Sequence, residues 1–163
     1  DLALRYGQPP DSTHVALPLT PGNRRVLVAA PGYVARHGVP KTPADLAQHE
    51  ALRFMLRDEV PRHWRLQVGG QWVEAPVQGR RSANDGEVVK RWALAGLGLA
   101  YKSWLDVAAE VGNGRLQHLN PHWIGEPSPL YLVVPGRAQV TPAARALREW
   151  LKPRLTEVAG RLG

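Results

Sequence analysis

Cysteine is absent from this 163-residue sequence. Its absence excludes disulfide bonds and thiolate metal sites, and it is consistent with a reducing compartment. Apolar runs long enough to cross a membrane are also absent, and the first residues lack the pattern of a secretory signal peptide. We therefore expect a cytoplasmic protein that makes no contact with a membrane.

Basic residues outnumber acidic ones, for a formal net charge of +7, but they are not clustered in the sequence. The most concentrated are three isolated doublets, Arg24-Arg25, Arg80-Arg81 and Lys90-Arg91. A nucleic-acid interface needs basic residues gathered on one face, usually beside a reading helix. The dispersed charge therefore predicts a basic, solvated surface and no sequence-specific affinity of this chain for DNA.

The clearest local pattern lies between residues 80 and 103. Asn84 is a favourable N-cap residue and Glu87 stands at the capping-box position, so the two predict the start of a helix. That helix has one apolar face, with the Lys90-Arg91 doublet opposite it, and it ends at Gly96. The next residues predict a strand buried on both faces. A helix that follows a strand end presents unpaired N–H groups, which favour a small anion.

Two other segments have strong local signals. Alternating apolar residues on both sides of Gly69-Gly70 predict a hairpin. Thr42, with Pro43 after it and Asp45 three residues on, predicts a short capped helix.

Thr141-Pro142 predicts the start of a last helix. Its inward stripe is predicted to include Trp150. Pro153 is predicted to kink or end this helix.

Strands and helices alternate along the chain, which predicts an α/β architecture with mainly parallel sheets. Two connectors rich in proline, 7–21 and 121–129, surround the middle of the chain, and the first has little pattern. A chain that leaves one lobe, builds another and returns forms two lobes with a cleft between them. Small ligands favour such clefts.

No catalytic or metal-binding set stands out. Asp11-Ser12 and His14 have the residue types of a hydrolytic triad, but side chains so close on an extended segment point to different faces. His118 and His122 have a spacing that suits a metal on a helix, and Pro121 between them argues against a helix. The sequence predicts a protein that is not an enzyme and has no metal and no cofactor.

Short motifs occur in a fixed order over nearly the whole chain. They are Asp1-Leu2-Ala3-Leu4-Arg5, Leu27-Val28-Ala29-Ala30-Pro31-Gly32-Tyr33, Gly38-Val39-Pro40, Pro43-Ala44-Asp45-Leu46 with His49, Asn84-Asp85 with Ala95-Gly96-Leu97-Gly98-Leu99-Ala100, Gly114-Arg115-Leu116, and Leu130-Tyr131-Leu132-Val133-Val134-Pro135. In this order and spacing they resemble the effector-binding domain of LysR-type transcriptional regulators.

The resemblance implies a periplasmic-binding-protein-like fold of type 2 that senses a small-molecule effector. It places residues 1–18 in a lobe I strand and first crossover, 19–120 in a complete lobe II, and 121–163 in a second crossover that returns to lobe I. Lobe I is expected to be incomplete, and DNA contact is expected only through a helix-turn-helix domain absent from this chain. Self-association is expected, because the family pairs these domains side by side.

The resemblance also selects the residues expected to contact the effector. They are Tyr6, Asn84, Asp85, Gly86 and Lys102. The helix terminus, together with cations at Arg5 and Lys102, favours a small organic anion. These positions also have structural alternatives: Asn84 as a helix cap, Asp85 as a first-turn charge, and Tyr6 and Lys102 as surface side chains. Lys102 is also able to pair with an acid. The rival functional hypothesis is a solute-binding protein of a transporter with the same fold.

Overall fold

A computed structural model describes residues 2–7, 9 and 13–162. The strands are β1 (Ala3–Tyr6), β2 (Val15–Thr20), β3 (Arg25–Ala29), β4 (Ala51–Phe54), β5 (His63–Val68), β6 (Gln71–Pro76), β7 (Arg81–Ala83), β8 (Leu99–Ser103), β9 (Gln117–Leu119), β10 (Ile124–Gly125) and β11 (Leu130–Val134). The α-helices are α1 (Pro31–His37), α2 (Gly86–Leu94), α3 (Trp104–Gly112) and α4 (Pro142–Gly160), and 3-10 turns lie at Pro43–Gln48 and Arg137–Gln139. The predicted Asp11-Ser12 pair and Asp1 lie outside the described residues.

The chain divides into two compact units. One is continuous, Arg25–Glu126, and the other combines Asp1–Arg24 with Pro127–Gly163. The predicted lobe II, 19–120, shares residues 25–120 with the continuous unit, and the lobe boundaries remain a prediction.

The continuous unit contains a five-stranded sheet in the order β7-β4-β8-β3-β9. Strand β4 is parallel to both β7 and β8, whereas β3 is antiparallel to both β8 and β9. The sheet is therefore mixed, and the prediction of mainly parallel sheets was wrong in this respect. Alternation of strands and helices along the sequence does not determine whether neighbouring strands are parallel. The direction of each strand depends on the end of the sheet at which the chain enters it.

A second, antiparallel sheet in the same unit has the order β10-β5-β6. The predicted hairpin is confirmed: Val68 pairs with Gln71 across Gly69-Gly70, and both glycines have positive φ (57° and 81°), which a tight two-residue turn requires. Apolar side chains of this sheet and of the five-stranded sheet share one buried cluster, which includes Leu66 and Leu99.

The other unit has an antiparallel sheet in the order β1-β11-β2, and α4 packs against β2. Strand β2 lies inside the segment predicted to be a connector. Its apolar alternation is interrupted by Pro18, which pairs with Tyr131 at an irregularity in the register. An edge strand tolerates proline because one side of its backbone needs no partner strand.

Helix α4 begins as predicted, with Thr141 Oγ1 accepting a hydrogen bond from Ala144 N at 3.2 Å. It continues past Pro153 to Gly160, so it does not end there. Water can hydrate the carbonyl that proline leaves unpaired, since this part of the helix is exposed. Trp150 is 55% exposed rather than inward, and the Arg154 guanidinium lies 4.0 Å from the centre of its ring.

Candidate functional site

The carboxyl ends of β4, β7 and β8 lie at one edge of the five-stranded sheet. Phe54 is paired with Ala83, so the two parallel strands finish level with each other. At the same edge β8 finishes at Ser103, opposite Arg25, the first residue of β3. In open α/β sheets, ligands bind outside the carboxyl ends of the strands. This edge is therefore the part of the unit where a ligand site is expected.

Helix α2 begins at this edge and is capped by Asp85 rather than Asn84. Asp85 Oδ1 accepts a hydrogen bond from the main-chain N of Glu87 at 2.8 Å. Asn84, predicted to be the cap, is one residue outside the helix and exposed. Glu87 forms ion pairs within α2 instead of the predicted capping box. The carboxylate of Asp85 already provides negative charge at the helix terminus, so the terminus by itself offers less attraction to an anionic ligand.

Lys102 lies within β8, and its side chain is 8% exposed. Its Nζ donates to the main-chain O of Gly86 at 2.5 Å and forms an ion pair with Asp106 Oδ2 at 2.6 Å. A buried ammonium requires such partners because burial removes its hydration. The structure thus brings Gly86 and Lys102 together, and it pairs Lys102 with an acid.

Lys90, predicted to face solvent, is only 15% exposed. Its Nζ lies 3.2 Å from Glu87, 3.4 Å from Asp106 and 3.8 Å from Glu110. Burial by itself lowers the pKa of Lys90, but the surrounding carboxylates outweigh that effect and raise the pKa above its usual value. The sequence analysis missed this network. The signal was the spacing of Asp106 and Glu110, four residues apart on one face of α3.

Tyr6 belongs to the other unit. It is the last residue of β1, it is exposed, and it pairs in register with Leu130. Its role in the same site as Asn84, Asp85 and Gly86 remains a prediction.

A cavity of about 580 Å³ lies within the continuous unit. Most of its lining residues come from the end of β4, the segment that follows it and the start of β5, and three others come from β3, β8 and the end of the unit. They are Phe54, Leu56, Glu59, Val60, Pro61, Arg62, His63, Trp64, Arg25, Tyr101 and Glu126. The sequence analysis missed the cavity, because the segment after β4 has no recognisable pattern.

Within the described residues, no group of three or more histidine, cysteine or acidic side chains is placed to hold a metal ion. His118 is on β9, 5.9 Å from Trp104 between ring centres, and His122 is in the turn that follows. Burial lowers the pKa of His118. The search of the same residues for a helix long and apolar enough to cross a membrane found none.

Comparison of the sequence with family models gives a match to the LysR substrate binding domain over residues 1–156. A putative transcriptional regulator of Pseudomonas aeruginosa is 32% identical over 165 residues, covering 98% of this chain and 54% of the relative. The HTH-type transcriptional regulator DmlR of Escherichia coli is 31% identical over 157 residues, covering 96% of this chain and 50% of the relative. This chain spans about half the length of these curated relatives.

Solved structures with the same fold include regulatory domains. The regulatory domain of CrgA, a LysR-type transcriptional regulator from Neisseria meningitidis, matches with a TM-score of 0.79 and 26% identity, over 95% of this chain and 75% of that one. The effector domain of the regulator AmpR of Pseudomonas aeruginosa has a TM-score of 0.70 at 24% identity, over 100% of this chain and 76% of that one, a likeness of fold alone.

Proposed function

Because the chain belongs to the LysR substrate binding domain family, we propose that it is the effector-binding regulatory domain of a bacterial transcription regulator and senses a small organic molecule. The fold is periplasmic-binding-protein-like, of type 2. The relatives are named as transcriptional regulators. The relatives are not enzymes. Their names do not favour the rival hypothesis that this chain is the solute-binding protein of a transporter.

The observation that supports the ligand site best is the convergence of β4, β7 and β8 at one sheet edge, where α2 begins. There, Asn84 is exposed and Asp85 and Gly86 form the start of the helix. We assign ligand contact to these three residues and to Tyr6. Lys102 contributes by holding the Gly86 carbonyl in place.

Thermal shift of the full-length regulator tests this site. Carboxylates, neutral compounds and cationic metabolites are screened, and any hit is repeated with Asn84→Leu and with Gln71→Leu, an exposed amide on the hairpin, as the matched control. A ligand at a hundred times its Kd stabilises the fold by about 2.7 kcal/mol, or roughly 5–10 °C in Tm. The site is wrong if Asn84→Leu keeps the full response, and the anion prediction is wrong if only neutral or cationic compounds stabilise the protein.

DNA binding belongs, in this proposal, to a helix-turn-helix domain outside this chain, and the whole regulator acts in the cytoplasm. The dispersed basic residues and the length of the relatives support this division. In a gel shift at physiological salt, the full-length regulator should select its operator and this chain should not. A sequence preference of this chain alone would contradict the division, since phosphate contacts without base contacts carry no sequence information.

Self-association is also part of the proposal. Strand β1 is at the edge of its sheet, and Leu4 and Tyr6 on the strand, together with Leu2 just before it, are exposed. An exposed apolar edge strand favours pairing with another chain. Sedimentation should therefore show association that rises with concentration and is weakened by Leu4→Lys. A monomer at high concentration would contradict it.

A further inference from the structure

We infer that the chain has a second ligand site, at the amino ends of β4 and β7, which binds a free α-amino acid with a small polar side chain. In this site Glu50 binds the ammonium group of the ligand, and Arg80 and His49 bind its carboxylate. Glu50 directly precedes β4, Arg80 directly precedes β7, and the two strands are parallel. The site therefore lies at the opposite edge of the five-stranded sheet from the start of α2. All of its residues belong to the continuous unit.

A smaller cavity, of about 390 Å³, lies at these amino ends. Its volume is within the usual range of ligand pockets, roughly 300–1,000 Å³. Its lining consists of polar side chains and one glycine, which favours a hydrophilic ligand. The lining residues are Gln48, His49, Glu50, Gln78, Gly79 and Arg80. The two carboxamides suit a ligand side chain that both donates and accepts hydrogen bonds, as that of asparagine does.

Hydrogen bonds hold the wall of the smaller cavity in place before any ligand arrives. Gln78 Nε2 donates to Ala47 O at 2.6 Å, and Gln78 O accepts from Ala51 N at 2.9 Å. Gly79 O accepts from Arg53 Nη2 at 2.5 Å. A site whose polar groups are already positioned loses less conformational entropy when a ligand binds.

The carboxylate of Glu50 has one oxygen engaged and one available. Its Oε1 accepts a hydrogen bond from Arg80 N at 2.7 Å and lies 3.6 Å from Arg81 Nη1. Among the described residues, Oε2 has one polar neighbour, Arg80 Nε at 3.9 Å, which is too far for a hydrogen bond. A ligand ammonium can therefore bind Oε2 without displacing the bonds of Oε1.

The guanidinium of Arg80 is the cation that lines the cavity. The Arg80 side chain is 88% exposed, and within the described part of the chain its one ion pair is the long contact with Glu50. An exposed pair at this distance contributes little to stability. A ligand carboxylate can replace it with a two-point contact to the guanidinium.

His49 provides a second donor for the ligand carboxylate. Tyr33 is 2% exposed, and its hydroxyl accepts from Glu50 N at 3.3 Å and lies 2.8 Å from His49 Nδ1. Because a buried hydroxyl hydrogen requires an acceptor, we assign that hydrogen to the bond with Nδ1. Burial and the charge of His37 lower the pKa of His49, against the opposing effect of Asp45, so the imidazole is neutral at pH 7. The neutral ring then carries its own hydrogen on Nε2 and can donate it to the ligand.

The two opposite charges favour a zwitterion over an ion of one sign. A simple anion bound to Arg80 would lie beside the Glu50 carboxylate, and a simple amine bound to Glu50 would lie beside two guanidinium groups, those of Arg80 and Arg81. Like charges at short range are unfavourable where water is partly excluded. An α-amino acid places an opposite charge against each of them.

Calorimetric titration of the intact protein at pH 7 with three matched probes tests the inference. The probes are L-asparagine, N-acetyl-L-asparagine, which lacks the ammonium group, and L-asparaginamide, which lacks the carboxylate. L-Asparagine should bind, and each derivative should bind at least tenfold more weakly, because a hydrogen bond to a charged group changes affinity by about tenfold to a hundredfold. Equal binding of L-asparagine and either derivative, or no binding of L-asparagine at millimolar concentration, overturns the inference.

Substitutions locate the site. Arg80→Gln should weaken L-asparagine binding by about tenfold to a hundredfold, whereas Arg115→Gln, an exposed arginine that does not line the cavity, should leave it unchanged. Gln48→Trp, at an exposed lining position, should abolish binding by filling the cavity, and it keeps the test decisive if Arg80→Gln does not fold. L-Asparagine binding that survives both variants overturns the inference.

Asn84→Leu separates this site from the proposed effector site. Asn84 follows the carboxyl end of β7, at the other edge of the sheet, so this variant should bind L-asparagine as the wild type does. Binding that is lost in Asn84→Leu and kept in Arg80→Gln overturns the inference and places the amino acid at the α2 terminus instead. Because L-asparagine is titrated without any effector, failure of the effector site leaves the expected result unchanged.

Discussion

Lys102 Nζ lies 2.6 Å from Asp106 Oδ2, at the point where β8 passes into α3. The same ammonium donates to the carbonyl of Gly86, the first residue of α2, so one buried cation connects the starts of two helices. A cation near helix N-termini is unfavourable, since both termini have a partial positive charge. Asp106, in the first turn of α3, compensates for this cost.

Replacing Asp106 with Asn should therefore destabilise the protein strongly. It leaves the Lys102 ammonium buried without a counter-ion and removes one partner of Lys90. The expected loss in the free energy of unfolding is about 3 kcal/mol, measured by urea denaturation.

The matched control for this variant is Glu157→Gln. The Glu157 carboxylate is 72% exposed and pairs with Arg161 at 3.1 Å. Loss of an exposed pair should cost about 0.5 kcal/mol or less. Equal losses in the two variants would refute a structural role for the Lys102–Asp106 pair. The double variant Lys102→Met with Asp106→Leu should recover most of the loss, since apolar replacement of a buried pair is often neutral.

Asp85 should matter more than Asn84 for the stability of α2. Asp85→Ala removes the acceptor of the Glu87 N–H bond and should cost about 1 kcal/mol. Asn84→Ala, at an exposed position outside the helix, should cost less than about 0.5 kcal/mol. Chemical denaturation of the two variants gives their free energies of unfolding and shows which residue caps α2. A larger loss for Asn84 would restore it as the cap.

The stability of the fold should fall as the pH drops below about 6.5, the usual pKa of histidine. Burial lowers the pKa of His118 in the folded state, and burial followed by the charge of His37 lowers that of His49, against the opposing effect of Asp45. The unfolded chain therefore binds more protons in this range, so stability is full above the unfolded pKa and is lost as the pH falls toward the folded value.

Unfolding free energies of wild type and His118→Gln at pH 7.5 and 5.5 test this dependence. The variant should lose less stability between the two pH values. His122→Gln, which replaces an exposed histidine nearby in sequence, controls for the loss of an imidazole. An identical pH dependence in wild type and His118→Gln would exclude His118 as a contributor.

Gly125→Ala should be destabilising, because a Cβ there meets the main-chain carbonyl of Arg25 and comes 3.0 Å from Tyr101 Oη. Overpacking of this kind costs about 1–3 kcal/mol. Gly112→Ala is the control, with no atom within 4 Å of the new Cβ. It should stabilise the protein by up to about 1 kcal/mol. Thermal unfolding of both variants gives the comparison, and a neutral Gly125→Ala would show that the β10 backbone can move away.

Local patterns in the sequence were sufficient to locate several elements. The glycine pair between β5 and β6 marked the hairpin, and Thr42 marked a capped turn in which its main-chain N donates to Asp45 Oδ2 at 2.8 Å. Such signals depend on hydrogen bonds that span a few residues. The order of family motifs added the fold, which the comparisons confirm.

Tertiary structure decided the remainder. Whether β3 and β8 run in the same direction depends on the paths of long connections, and no local hydrogen bond records those paths. The burial of Lys90 required α3 to bring Asp106 and Glu110 against α2. The cavity required Arg25 and Tyr101 to meet the segment after β4. Sequence determines backbone preference within a few residues, whereas the partner of a charge is determined by side chains that only folding brings within a few ångströms.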